Sequence, residues 1–223
     1  MLQCPDPAGT QAFRDGCYHV QDTASQLCCA ILDPQPGETV LDVCAAPGGK
    51  TFTIAERMRD EGAVYAFDLH PKRVGLIGDG AARLGLRCIH TAVQDASVPR
   101  EGMPLADRVL CDVPCSGFGV IRRKPEIRYK PPDSFARLPG VQRRILETSA
   151  GYVRPGGILV YSTCTVLRAE NEAVVEDFLA AHPEFEPVPL TELGVGEMCF
   201  TFSPSFGGCD GFFAARMRRK AGA

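Results

Sequence analysis

The chain has 223 residues, long enough for one large domain with a real core. Its 45% apolar and 23% charged residues are those of a soluble globular protein, and no apolar run reaches the about 18 residues a membrane span needs. A net charge of −3 does not mark the whole chain as a nucleic-acid binder, so such a role would need a local patch.

The N-terminus, Met1 to Asp6, shows no basic region followed by an apolar core, so no signal peptide is expected. Residues 1–20 lack periodicity and read as an approach segment. From Thr23 a helix is predicted, with Ala24, Leu27, Cys28 and Ile31 on its apolar side. Val40, Leu41 and Val43 form a first strand, followed by the small residues Cys44 to Gly49 and a helix carrying Phe52, Ile54, Ala55 and Met58. Ala63–Asp68 is a second strand. Pro71–Leu84 is a helix in spite of Gly75, Gly78 and Gly80. Leu86–His90 and Asp107–Asp112 are the third and fourth strands, and Val113–Leu138 reads as a long polar loop. A helix over Gly140–Val153, a fifth strand over Gly157–Thr163 and an amphipathic helix over Arg168–Ala181 follow. Glu197–Phe202 and Gly211–Met217 alternate as a final antiparallel pair.

Alternating strands and helices predict an α/β, Rossmann-like fold: a mostly parallel sheet, helices on both faces and an antiparallel C-terminal strand pair. The domain is expected over 21–217, with 218–223 a basic tail; Arg216, Arg218, Arg219 and Lys220 at this end of the chain read as solubilising. Eleven cysteines are scattered, several of them inside apolar strands, which suggests reduced, buried thiols in the cytoplasm. No Cys-x-x-Cys or Cys/His cluster points to a metal.

The turn Cys44-Ala45-Ala46-Pro47-Gly48-Gly49-Lys50-Thr51 lies between a strand and a helix, where free backbone N–H groups attract ligands. Gly49-Lys50-Thr51 matches the end of a P-loop, but Cys44 stands where its first glycine belongs. A dinucleotide fingerprint is absent. S-adenosylmethionine, which needs no phosphate cradle, is the third option, and an ordinary turn is the plain one.

Parallel α/β sheets bind ligands beyond the carboxyl ends of their strands. Asp68, Asp95, Asp112 and Cys164 all fall there, beside Cys44–Lys50, although any single such Asp is commonly a helix cap. Asp68 suits ribose hydroxyls and Asp95 an adenine amino group. Cys115 and Cys164 each follow a strand, in loops of small polar residues. Cytosine is electron-poor at C6, where a thiolate can add and make C5 nucleophilic enough to accept a methyl group. One thiol would attack and a second would assist release; with so many cysteines, either could equally be packing.

Together, Asp42-Val-Cys-Ala-Ala-Pro-Gly-Gly-Lys-Thr51, Asp112-Val-Pro-Cys-Ser-Gly117 and Ser162-Thr-Cys-Thr165 resemble the Sun (Fmu) family of RNA cytosine-5 methyltransferases. Gln21-Asp-Thr-Ala-Ser25, Asp68-Leu-His-Pro-Lys-Arg73 and Asp210-Gly-Phe-Phe213 are similar to it as well, and Gly119–Tyr129 resembles its bacterial small-subunit rRNA branch. The resemblance implies an S-adenosylmethionine site built from Cys44, Ala45, Ala46, Pro47, Gly48, Gly49, Lys50, Asp68, Arg73, Asp95 and Asp112. It implies Cys164 as nucleophile, Cys115 as helper in release, and Asp112 between cofactor and base. Pro114-Cys115 would suggest the opposite assignment by analogy with DNA cytosine methylases. Lys50 is expected to pair with Asp112 and lower the neighbouring thiols' pKa.

RNA is the expected partner, 16S rRNA in particular, with no membrane, no metal and no legible protein partner. Arg122, Arg123, Lys124, Arg128 and Lys130 face only Glu126 in sequence and, with Tyr129, are expected to hold phosphates and stack on a base. The family's rRNA enzymes carry RNA-binding domains ahead of the catalytic part, which leaves either a fragment or recognition delegated elsewhere. A catalytically idle RNA-binding module is the alternative reading.

Overall fold

The computed structural model describes residues 6–203, 205 and 208–222. The N-terminal reading of Met1 to Pro5, with Cys4, lies outside the described residues. The approach segment folds into a short 3-10 turn and a one-turn helix, α1 (Gln11–Arg14). Helix α2 (Thr23–Leu32) begins where the Asp22 carboxylate accepts the Ala24 N–H at 2.9 Å, an N-cap that satisfies an otherwise orphaned donor.

The remaining elements are β1 (Thr39–Asp42), α3 (Gly49–Arg57), β2 (Ala63–Asp68), α4 (Pro71–Leu84), β3 (Ile89–Val93) and β4 (Ala106–Asp112). After them come α5 (Leu138–Ala150), β5 (Val153–Thr163), α6 (Glu172–Ala181), β6 (Phe185–Pro187), β7 (Cys199–Phe202) and β8 (Phe212–Arg219). The sheet order is β3-β2-β1-β4-β5-β8-β6, with β7 also on β8. The first five strands in that order are parallel, and β8 runs antiparallel to β5, β6 and β7. This is the Rossmann-like sheet with antiparallel C-terminal strands that the residue pattern implied.

Each face of the sheet is covered. On one, Ile145, Leu146, Val174, Val175 and Phe178 of α5 and α6 pack on Leu41, Val109, Leu159 and Tyr161. On the other, Cys28 and Ile31 of α2, Ile54 of α3 and Met58 just after it pack on Val40, Val64, Leu110 and Val160. A fully buried Leu or Ile here contributes about 1.5–3 kcal/mol. In α4, Gly80 lies against the Phe52 ring; a Cβ there would come within 2.3 Å of it. Close packing thus explains this one helical glycine.

Several boundaries differ from the sequence reading, each for a physical reason. Strand β3 starts at Ile89, not Leu86, because the Asp60 carboxylate captures the N–H groups of Arg87 and Cys88 at 2.7 and 2.8 Å. Helix α5 ends at Ala150, and Val153 opens β5 opposite Ala106, with a register shift before Arg108. The segment 113–138 is no plain loop. It holds 3-10 turns at Phe118–Val120, Pro125–Tyr129 and Pro132–Ser134, anchored by buried Val120 and Ile127. The helix expected from Arg168 is a 3-10 turn to Glu170, a break at Asn171 (φ −114°, ψ −102°), and then α6. Arg218 and Arg219 are the last residues of β8, not a tail. Arg219 donates to the Val153 carbonyl at 2.7 Å, and Arg216 lies inside the same strand.

Candidate active site

The carboxyl ends of β1, β2, β4 and β5 meet along one rim, because four parallel strands share one direction. Asp68 and Asp112 are the last residues of β2 and β4, Cys164 directly follows β5, and Asp95 lies two residues past β3. Two adjoining cavities open here, of about 260 and about 390 Å³. Cys44, Ala46 and Asp112 line both.

The smaller cavity is bounded by Asp68, Asp95 and Arg73 and has an apolar wall of Val43, Ala96, Val141 and Ile145. Asp68 is 4% exposed; it accepts the His70 N–H at 3.0 Å and pairs with Arg73 at 3.1 Å. Arg73 also donates to the Ala46 carbonyl at 2.7 Å, tying the Gly-rich turn to β2. Asp95 is exposed, and the Ser97 hydroxyl and N–H, donating to it at 2.7 and 2.9 Å, hold its carboxyl below the usual range. Two carboxylates over an apolar slot fit a ribose and an amino-bearing purine. Arg73, committed to Asp68 and Ala46, is not a phosphate cradle.

The larger cavity takes in Asp42, Lys50, Cys164, Asp210 and Phe212. Lys50 is 13% exposed; its ammonium donates to Asp112 at 2.7 Å and sits over the Phe212 ring, 5.1 Å from its centre. Burial is the largest influence and works against the ammonium, but the Asp112 carboxylate together with the Cys28 and Cys29 thiols outweighs it and keeps Lys50 above its ordinary pKa. A P-loop lysine faces phosphates instead. The other Asp112 oxygen accepts from Ser162 at 2.9 Å.

Cys115 and Cys164 stand with their sulfurs 3.1 Å apart. The hydrogen bond with Cys115 outweighs burial and the Asp112 carboxylate, Lys50 adds in the same direction, and the Cys164 thiol is held below its ordinary value. The same shared proton, together with burial, pushes Cys115 up. Burial also pushes Cys28 and Cys111 up to about 12, so these are packing thiols. Cys164 lines the cavity and Cys115 does not.

The basic segment differs from its sequence reading. Arg122 lies 3.4 Å from Asp210, and Arg123 also pairs with it, so a carboxylate far along the chain balances two of these cations. Arg123 and Lys124 still line the larger cavity. Tyr129 is 84% exposed, and Arg128 and Lys130 edge a separate apolar groove of about 580 Å³ with Phe118 and Phe135. The Asp210-Gly-Phe-Phe213 motif acquires a structural reason. Gly211 donates its N–H to Gly119 at 2.9 Å, and a Cβ on Gly119 would come within 1.9 Å of the Gly211 carbonyl oxygen, so the two loops touch only as glycines. Gly119 in turn donates to the Cys164 carbonyl at 3.0 Å.

Sequence reasoning passed over Asp42, Gln142, Glu170 and Asn171, all buried beside the site. The break at Asn171 was hidden inside an amphipathic pattern. Asp42 accepts from Thr51 at 2.7 Å; burial, with the Asp112 carboxylate adding and Thr51 opposing, raises its pKa from 3.8 to about 7. The folded state therefore holds a proton that the unfolded state releases, and stability falls as pH rises through this window and stays lower above it. Asp42→Asn keeps the Thr51 acceptor and removes the titration. The wild type should lose on the order of a few kcal/mol between acid and alkaline sides of the window, and the variant much less. Urea unfolding at several pH values measures this, and parallel curves for the two proteins would refute it.

Among the described residues no group of three or more His, Cys, Asp or Glu is placed to hold a metal ion, and no helix is long and apolar enough to cross a membrane. Residues 29–218 match the family model described as 16S rRNA methyltransferase RsmB/F. A probable ribosomal RNA small subunit methyltransferase B from Bacillus subtilis is 47% identical over 96% of this chain and 50% of its own length. Ribosomal RNA small subunit methyltransferase B from Thermus thermophilus is 39% identical over 89% of this chain and 49% of its own. The crystal structure of NSun6 from Pyrococcus horikoshii with SFG superposes with a TM-score of 0.87, at 27% identity over 99% of this chain and 57% of that one. The chain spans about half the length of the curated relatives it matches. With that match over most of its length, the chain belongs to the 16S rRNA methyltransferase RsmB/F family.

Proposed function

We propose that this chain is the catalytic part of an S-adenosylmethionine-dependent methyltransferase acting on C5 of a cytosine in RNA, with 16S rRNA as the substrate. The observation that carries the reading is the Cys115–Cys164 pair beside Lys50 and Asp112, on a cavity joined to a nucleoside-shaped slot. Cys44 to Lys50, Asp68, Arg73 and Asp95 would hold the cofactor, which when bound supplies an electrophilic methyl group.

The protein's own part follows from its thiols. Sγ of Cys164 would bond to C6 of the cytosine, and the C5=C6 π pair would move to C5, which would take the methyl group as the methyl's bond to the donor sulfur breaks and leaves a neutral thioether. A base in the cavity removes the C5 proton; that C–H pair rebuilds the C5=C6 bond, and the C6–S bond breaks to return the Cys164 thiolate. Asp112, shared by both cavities, would hold the base's amino edge. The Cys115 S–H, 3.1 Å away, stabilises the departing thiolate. Arg123, Lys124, Arg128 and Lys130 would pair with phosphates, and Tyr129 would stack on a base. Relatives named for the small ribosomal subunit support 16S rRNA as the substrate.

Transfer of label from methyl-labelled S-adenosylmethionine to 16S rRNA, read as 5-methylcytosine after nuclease digestion, tests the reading; label on another base or none at all refutes it. Asp68→Ala should weaken cofactor binding by about 1–3 kcal/mol, the cost of leaving hydroxyl partners unpaired. Calorimetry reads this, and an unchanged dissociation constant would remove Asp68 from the site.

A further inference from the structure

The two thiols meet although 49 residues separate them in the chain. Consecutive buried residues account for that meeting. The Glu170 carboxylate accepts the Ser116 N–H at 2.9 Å and the Gln142 side-chain amide at 2.8 Å, and the same amide donates to the Pro114 carbonyl at 3.0 Å. Cys115 is thereby gripped on both sides. Asn171 does the same for Cys164: it accepts from the Thr163 hydroxyl at 2.6 Å and donates to the Thr165 carbonyl at 3.1 Å. The Ser116 and Thr165 hydroxyls, 2.8 Å apart, join the two grips. The Tyr161 hydroxyl donates to the Glu170 carbonyl at 2.6 Å and fixes the pair to β5. Glu170 is 2% and Asn171 0% exposed, and the backbone break at Asn171 sends the neighbouring side chains to different loops. Burying a carboxylate costs desolvation, which a purely structural bracket would avoid with apolar residues.

We propose that Glu170 and Asn171 are positioning residues, one holding Cys115 and the other Cys164, and that together they set the sulfur–sulfur distance on which attack and release depend. The inference rests on the methyltransferase reading for its purpose but not for its geometry. Two readouts on the full chain therefore test it separately. Alkylation of each thiol by iodoacetamide across pH, read by peptide mass spectrometry, needs no RNA. In both Glu170→Ala and Asn171→Ala the thiols part, Cys115 no longer donates to Cys164, and Cys164 alkylation at neutral pH should fall about tenfold. Glu170→Gln keeps the acceptor oxygen and should retain the wild-type profile.

With RNA and S-adenosylmethionine, Glu170→Ala should accumulate a complex that survives denaturing electrophoresis, as loss of Cys115 would, and Asn171→Ala should form none. If an alanine variant fails to give a folded melting curve, Gln142→Met removes the amide's bonds to Glu170 and Pro114, Thr163→Val removes the hydroxyl's bonds to Asn171 and the Thr165 N–H, and both variants take the same readouts. An unshifted Cys164 profile in the folded variants overturns the clamp. A shifted profile with no methyl transfer by the wild type would uphold the clamp and sink the methyltransferase reading.

Discussion

Cys164→Ala is expected to yield neither methylated RNA nor any covalent protein–RNA complex, whereas Cys115→Ala is expected to methylate once and fail to let go. The two thiols differ in exposure and in charge. Cys164 lines the cavity beside Lys50 and is held below the ordinary thiol pKa, which favours it as the proposed attacking sulfur. Cys115 lies behind it with its proton retained. Removing the attacking sulfur abolishes the covalent route, a loss on the order of 10⁴ or more if covalent catalysis carries the rate. Removing the donor behind it leaves attack possible but takes away the group that stabilises the departing thiolate, so the adduct persists. Denaturing electrophoresis with labelled RNA separates the cases. Adduct in Cys164→Ala and none in Cys115→Ala would exchange the roles. Methylation intact in both, with no adduct, would end the covalent mechanism.

Much of this site was legible in sequence because it is local. Asp68, Asp112 and Cys164 are each placed by the end of their own strand, and strand ends follow from short apolar runs and the break in pattern after them. The Lys50–Asp112 pair was also foreseeable, since β1 and β4 are neighbours and the turn after β1 leans over the next rim. What stayed hidden was non-local or masked by a regular pattern. Asp210 neutralises Arg122 and Arg123 only because Gly119 and Gly211 let distant loops touch. Glu170 and Asn171 looked like ordinary polar positions of one helix, and only the break at Asn171 turns them inward. Asp60 shortened β3 through hydrogen bonds that no periodicity encodes.

Lys50→Met should damage the site in two measurable ways. The first is stability. The variant leaves the Asp112 carboxylate with Ser162 as its remaining partner, and loss of one member of a part-buried, hydrogen-bonded ion pair costs about 1–3 kcal/mol. Chemical denaturation reads that change. The second is chemistry. Lys50 draws Cys164 toward the thiolate and Asp112 pushes it the other way, so removing the cation alone raises the pKa of the nucleophile. The active form is the thiolate, so the acid limb of the pH–rate profile should move to higher pH, and activity at neutral pH should fall by up to about tenfold. Raising the pH should recover part of it, because the thiolate then forms without help. Lys50→Arg retains a cation but cannot place it as a compact ammonium against Asp112, and should fall between the two. A profile in Lys50→Met that drops uniformly at every pH, with no displacement of its acid limb, would show that Lys50 acts elsewhere in the reaction than on the Cys164 thiol.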